Sequence, residues 1–177
     1  MGIFVQGIGR DEMIRIVELE RHMIPEAKAL VAKVFPEQDL TERLSFWAYK
    51  HQANFLMKMV LRLYGAMSVY KYWVALDEND RILGTTGLYS ENDDFHEAIW
   101  LSWFCVDPEM RGQGIGKQLI EFSIEMARSY DKKYLRLYTS DDPNEAAAQV
   151  LYEKYGFKVF RSKKMRGYTL FYRERVL

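Results

Sequence analysis

The segment that most constrains this 177-residue chain runs Val106-Asp107-Pro108-Glu109-Met110-Arg111-Gly112-Gln113-Gly114-Ile115-Gly116-Lys117. An apolar, strand-like stretch, Ile99 to Val106, enters a short turn, and the turn enters an amphipathic helical pattern that begins near Gly114. Such a turn leaves backbone N–H groups unpaired at a helix N-terminus, where the helix dipole places roughly +0.5 charge. Together they form an anion site suited to phosphates. Gly112, Gly114 and Gly116 let the backbone approach a ligand closely, because no Cβ intervenes. Arg111 and Lys117 add positive charge beside the loop.

Two common phosphate loops fail on spacing. A Walker loop requires a glycine five residues before its Gly-Lys pair and a Ser or Thr after it; Arg111 and Gln118 hold those places. The dinucleotide fingerprint Gly-x-Gly-x-x-Gly, counted from Gly112, puts Lys117 at its third glycine.

The run instead resembles the pyrophosphate loop of the GCN5-related N-acetyltransferases, Gln/Arg-x-x-Gly-x-Gly/Ala, through Arg111, Gly114 and Gly116. Val106-Asp107-Pro108 supplies the family's Val-x-Pro turn before it. Downstream, Leu151-Tyr152-Glu153-Lys154-Tyr155-Gly156-Phe157 is similar to a second family signature. The close resemblance covers Ile99 to Phe160. It implies an acyl-CoA N-acyltransferase fold, with acetyl-CoA as co-substrate and a small-molecule or peptide amine as acceptor. Transfer would be direct, within a ternary complex. The loop residues Arg111, Gly112, Gln113, Gly114, Ile115, Gly116 and Lys117 are then expected to hold the pyrophosphate. Backbone groups of Phe104, Cys105 and Val106 are expected to pair with the pantetheine arm.

Acyl transfer needs an acid for the departing thiolate and a base for the amine. The resemblance makes Tyr152 the leading acid, since a phenol of ordinary pKa near ~10 is protonated at neutral pH. The plainer reading of Tyr152 is a core aromatic on its helix. Two positions depart from the family pattern. The slot for a cofactor-contacting Asn holds Glu145, with Asn144 one residue earlier, so Asn144 either contacts the cofactor or caps a helix. The strand Trp100 to Val106 carries no carboxylate, and Arg136 stands where some relatives have an acid. Glu97 is the nearest candidate base, followed by Glu91, Asp93, Asp94 and His96; each also reads as a solvated loop charge, and water-relayed deprotonation fits equally. The missing strand carboxylate motivates a second reading, an inactive acyl-CoA-binding sensor or scaffold. Cys105 has no evident His partner and reads as a small buried apolar residue rather than a nucleophile.

Composition bounds the remaining classes. Lys+Arg and Asp+Glu balance at 25 each, which gives no support for nucleic-acid or acidic-membrane binding. One cysteine excludes an intramolecular disulfide, and no apolar run reaches membrane-spanning length, so a cytoplasmic protein is expected. His22 and His51 lack partners at metal-ligand spacing, and no metal site is expected.

The remaining pattern reads as one domain over 1–177, a mixed, mostly antiparallel α/β (α+β) sheet flanked by helices. Strands are expected over Ile14–Leu19, Val69–Leu76, Ile82–Tyr89, Ile99–Val106, Tyr134–Thr139, Phe157–Arg161 and Tyr168–Arg173. Helices are expected over Pro25–Phe35, Asp39–Tyr64, from Gly114 to Tyr130, and over Asn144–Tyr155. In the second helix Leu40, Leu44, Trp47, Leu56, Val60 and Leu63 fall near one face. Acceptor choice is assigned to that region and to the loop Ser90–Glu97. The aromatics Phe46, Trp47, Tyr49, Phe55, Tyr64, Trp100 and Trp103 serve either as pocket walls, as core, or as a homodimer face.

Overall fold

The computed structural model describes residues 3–5, 14–36, 46, 49–50, 56, 59, 63 and 66–177. An eight-stranded sheet forms from β1 (Ile3–Val5), β2 (Ile14–Glu18), β3 (Ala66–Leu76), β4 (Ile82–Glu91), β5 (Ala98–Val106), β6 (Tyr134–Ser140), β7 (Lys158–Lys164) and β8 (Thr169–Val176), in the order β1-β2-β3-β4-β5-β6-β8-β7. Every neighbouring pair is antiparallel except β5 and β6. A parallel pair cannot be closed by a tight turn and needs a crossover. Helix α2 (Ile115–Arg128) provides it, while α1 (Ile24–Val34) precedes β3 and α3 (Ala146–Lys154) lies between β6 and β7.

The apolar pattern buries the two faces separately. Helices α2 and α3 cover one face, where Leu119 and Ile120 meet Ile99, Leu101, Leu135 and Leu137. On the other, Ala27, Leu30 and Val31 of α1 pack over Tyr72, Val74, Leu76 and Cys105. Residues 46, 49, 50, 56, 59 and 63 are helical, in the region expected to form the second helix. Phe46 is buried against Tyr72, but Leu56 and Leu63 of the expected apolar face are 68% and 83% exposed. A helical period identifies a face without specifying what lies against it. Leu40, Leu44, Trp47, Phe55, Val60 and Tyr64 lie outside the described residues. Among the described residues no helix is long and apolar enough to cross a membrane.

Two further boundaries differ from the expectation. The first strand of the closing hairpin extends to Lys164 instead of Arg161 and the second begins at Thr169, with the Met165 N–H donating to the Tyr168 carbonyl at 2.8 Å. Strand β1 carries too few residues for a periodic signal and was not anticipated; it pairs with β2 in the register Ile3↔Ile16.

The register breaks once between β4 and β5. Thr85 faces Cys105 and Gly87 faces Ser102, so Trp103 and Phe104 together oppose Thr86. This is a bulge, and Trp103 sits in the left-handed region at φ +45°. The conformation is held on both sides: the Trp103 carbonyl accepts from the Thr85 hydroxyl at 2.5 Å, and its ring packs on Phe35 and Phe46. One extra residue resets the alternation, so that Phe104 turns toward α3 and Cys105 toward α1.

Beside the bulge, Tyr72 of β3 lies across Gly87 of β4 and its hydroxyl meets Ser102 Oγ of β5 at 3.2 Å. A Cβ at position 87 would stand inside the Tyr72 ring. Gly87→Ala is therefore expected to destabilise the fold by about 1–3 kcal/mol through overpacking, read from the midpoint of denaturant unfolding.

Candidate active site

The parallel pairing of β5 with β6 lasts only three residues, Ala98↔Tyr134, Ile99↔Leu135 and Trp100↔Arg136. Beyond Trp100 the strands part, and residues 101–106 of β5 have no strand partner on that side among the described residues. A wedge opens between Leu101–Val106 and Leu137–Ser140. Phe104, Cys105 and Val106, the expected partners of the pantetheine arm, all lie along it.

The glycine turn stands at the open mouth of this wedge. Asp107 follows β5, and its buried carboxylate accepts from Lys33 Nζ of α1 at 2.9 Å, Arg81 of the β3–β4 turn at 3.1 Å and the Glu109 N–H at 3.0 Å. The Lys33 ammonium, helped by the Glu109 N–H and Arg81, holds the Asp107 carboxyl below its ordinary range against the opposing effect of burial. After a single turn, Pro108–Met110, the chain passes through Gly112 (φ +79°) and Gly114 (φ +83°) into α2. A Cβ at either glycine would meet nothing within 4 Å, so backbone conformation rather than packing requires glycine there. The Gln118 N–H closes the first helical turn on the Gly114 carbonyl at 3.1 Å, leaving the N–H groups of Ile115, Gly116 and Lys117 without intrahelical acceptors. Arg111 and Gln113 are exposed beside them, and Lys117 reaches Glu121 at 4.0 Å. One turn into α2, the buried Gln118 Oε1 has no partner among the described residues; nor has Thr139 Oγ1 on the wedge segment of β6. Open glycines, free N–H groups and orphaned buried oxygens fit a phosphate-bearing ligand with polar groups along its arm.

Tyr152 faces the wedge from α3. Its ring packs on Phe104 at 5.5 Å and Phe157 at 5.7 Å, and its hydroxyl has no hydrogen-bond partner among the described residues. Burial, and then the Glu145 charge, push the phenol well above its ordinary range, so it carries its proton. Side-chain bonds fix the helix on both flanks. Arg173 of β8 donates to Glu153 at 3.0 Å and Gln149 at 2.9 Å. Glu145 accepts from the Ser140 N–H at 3.1 Å and Ser140 Oγ at 2.7 Å, while Gln149 donates to the Ser140 carbonyl. The residue in the family's Asn slot thus ties the end of β6 to α3. Asn144 is exposed in a single turn, Pro143–Glu145, and the cap there is Asp142, which accepts the Asn144 N–H at 2.8 Å. Capping by Asn144 is thereby corrected: Pro143 moves the turn's start one residue earlier.

Cys105 is buried on the opposite face with Thr85 Oγ1 at 3.3 Å, and burial pushes its thiol up to about 11. A thiol held so far from its thiolate is a packing residue.

The closed end of the wedge is charged. Arg136 gathers Asp94 at 2.6 Å, Glu97 at 2.9 Å and Glu174 at 3.0 Å, and Asp94 also accepts from Trp100 Nε1 at 3.0 Å. Glu97, the nearest candidate base by sequence, is therefore engaged by a guanidinium at the strand entry, outside the wedge. Glu91 departs further from expectation. It ends β4 instead of lying in a loop, is half-buried, and accepts from Tyr89 Oη at 3.0 Å. Burial is the largest cause raising its carboxyl, opposed by the Tyr89 hydrogen bond. The alternation Tyr89-x-Glu91 was the available signal for a shared strand face.

A strand that parts from its parallel neighbour over a glycine-rich helix start, with a tyrosine beside the gap, defines an acyl-CoA-type transferase fold. The family model for the Acetyltransferase (GNAT) domain matches residues 68–159. The peptidyl-lysine N-acetyltransferase YjaB of Salmonella typhimurium is 34% identical over 87 residues, 49% of this chain and 50% of that protein. The spermine/spermidine N(1)-acetyltransferase of Bacillus subtilis is 33% identical over 75 residues, 41% of this chain and 48% of that protein. These matches span about half the length of the curated relatives. An acetyltransferase structure of the GNAT family from Staphylococcus aureus superimposes with TM-score 0.67 at 22% identity, covering 91% of this chain and 98% of that one. The chain belongs to the GNAT acetyltransferase family.

The depressed Asp107 carboxyl stabilises the fold above its unfolded pKa, and that contribution disappears as pH falls through the lower folded value. Asp107→Asn is expected to lower the thermal midpoint by a few °C at pH 7. Its deficit against wild type should shrink below about pH 4, as thermal melts across pH would show.

Proposed function

We propose that the protein is an N-acetyltransferase that moves an acetyl group from acetyl-CoA to a primary amine of a small molecule or peptide, directly and within a ternary complex. The observation that carries this reading is the parting of β5 from β6 immediately before a glycine turn that offers free N–H groups. The N–H groups of Ile115, Gly116 and Lys117, with the Arg111 and Lys117 charges and the neighbouring Gly112, Gln113 and Gly114, hold the pyrophosphate. The unpartnered strand at Phe104, Cys105 and Val106 receives the pantetheine arm, and Asn144 stands at the rim. Bound acetyl-CoA supplies the activated acyl group. The activities for which the two curated relatives are named, on peptidyl lysine and on spermine or spermidine, favour an aliphatic primary amine as acceptor.

Tyr152 is the acid in this scheme. As the C–N bond forms and the C–S bond breaks, one proton leaves the attacking nitrogen for water and the Tyr152 proton passes to the departing sulfur; the phenolate then takes a proton back from water, which restores the acid. The desolvation that raises the phenol also raises the basicity of a thiolate formed beside it, so the transfer remains matched. Glu97 is given no part, because Arg136 engages it.

Loss of a general acid typically costs about 10²–10⁴-fold in rate. Tyr152→Phe is expected to lower kcat by about 100-fold or more while the Kd for CoA changes less than about threefold, measured by thiol-release kinetics and calorimetry. Wild-type protein that shows no saturable binding of CoA or acetyl-CoA would overturn the reading.

A further inference from the structure

Five carboxylates sit at the closed end of the wedge, and they are not equivalent: Asp93 is exposed to solvent, whereas Glu91 is half-buried. Asp94, Glu97 and Glu174 share the Arg136 guanidinium. Glu91 has no cation within ion-pair distance among the described residues; its hydrogen-bond partner is the Tyr89 phenol. Arg161 stands over the Tyr172 ring, 3.9 Å from its centroid, and influences Glu91 only through space. A half-buried carboxylate without a counter-ion is unfavourable, and an arriving cation relieves it.

Aromatic rings connect this carboxylate to the reaction zone. Tyr89 packs on Trp100 and Trp100 on Tyr172, each at 6.3 Å, and Tyr172 meets Tyr138 at 6.3 Å. Trp100 marks the last paired row before the strands part, and Tyr138 stands on the β6 side of the gap. Trp100 is buried beneath this row, whereas Tyr138 is exposed and Tyr172 half-buried, and such ring faces attract alkylammonium groups and cover aliphatic chains. Strand rise and spacing set Glu91 roughly 10 Å from the start of the gap. That is too far for its carboxylate to touch an amine in attack, and it suits a second charge on the same acceptor.

Resting on the acetyl-transfer reading above, we propose that Glu91, with Tyr89 beside it, binds the non-reacting ammonium of a short aliphatic diamine whose other amine reaches the gap along Tyr138 and Tyr172. Glu91 is thus a specificity-determining residue that selects doubly charged acceptors over monoamines.

The test uses 1,4-diaminobutane and butylamine, which differ in the second ammonium. Calorimetric titration of the CoA-loaded protein is expected to show 1,4-diaminobutane binding at least tenfold tighter than butylamine, with Glu91→Gln removing most of that difference. In steady-state kinetics the diamine preference should collapse through KM in Glu91→Gln, with kcat for the diamine retained within a few-fold. Equal binding of the two amines by wild type, or a preference that survives Glu91→Gln, overturns the inference. A Glu91→Gln effect on kcat alone, equal for both amines, also overturns it by making Glu91 a proton acceptor. Failure of CoA binding would count against the acetyl-transfer reading, whereas CoA binding without diamine selectivity counts against this one alone.

Discussion

The three-residue pairing of β5 with β6 is the constraint on which the rest of the molecule depends. Each strand is held firmly on its outer side, β5 by β4 and β6 by β8. They share only the rows from Ala98 to Trp100 and then diverge. A backbone polar group left unsatisfied in a buried setting costs about 1–3 kcal/mol, so such a gap persists where water or a ligand satisfies the exposed strand. Because the pair is parallel, the chain must leave the open end of β5, and the crossover places the start of α2 at the mouth of the gap. The position of the glycine turn and the unpaired strand edge therefore arise from one topological fact.

The surrounding contacts hold that geometry. The bulge at Trp103 turns Phe104 toward Tyr152, and without it the alternation would send Phe104 to the other face. Asp107 ties the loop to α1 and to the β3–β4 turn, while Arg173, Glu145 and Gln149 fix α3 against β8 and the end of β6. Exposed ion pairs contribute little to stability, but Asp107 and Arg136 are largely withdrawn from solvent, and their bonds also set position. At the closed end one guanidinium is divided among three carboxylates. The charge left over on Glu91 follows from this arrangement rather than from net composition, which is balanced.

The candidate site was legible in the sequence wherever its parts are contiguous. Arg111 to Lys117 carries its own geometry, since a strand-to-helix turn with glycines at two positive-φ positions needs no distant residue to specify it. The segment around Tyr152 was likewise readable as a helix closed by Gly156. The misreadings occurred where a role depends on residues far apart in the chain. Glu97 is the exposed loop charge that the sequence offered, but its ion pair comes from Arg136, 39 residues later, and Glu91 ends β4 opposite Ala66 instead of lying in the loop. Leu56 and Leu63 followed a helical period, yet nothing local showed that they would face solvent.

By itself, then, the sequence determined the order of most elements and the position of the glycine turn, because helical and strand periods and glycine turns are local properties, while the family resemblance singled out Tyr152. Tertiary structure decided where β5 and β6 part, which way Phe104 turns, and which carboxylate is left without a cation. These depend on strand register and on charges brought together across five strands, and a linear pattern does not encode either.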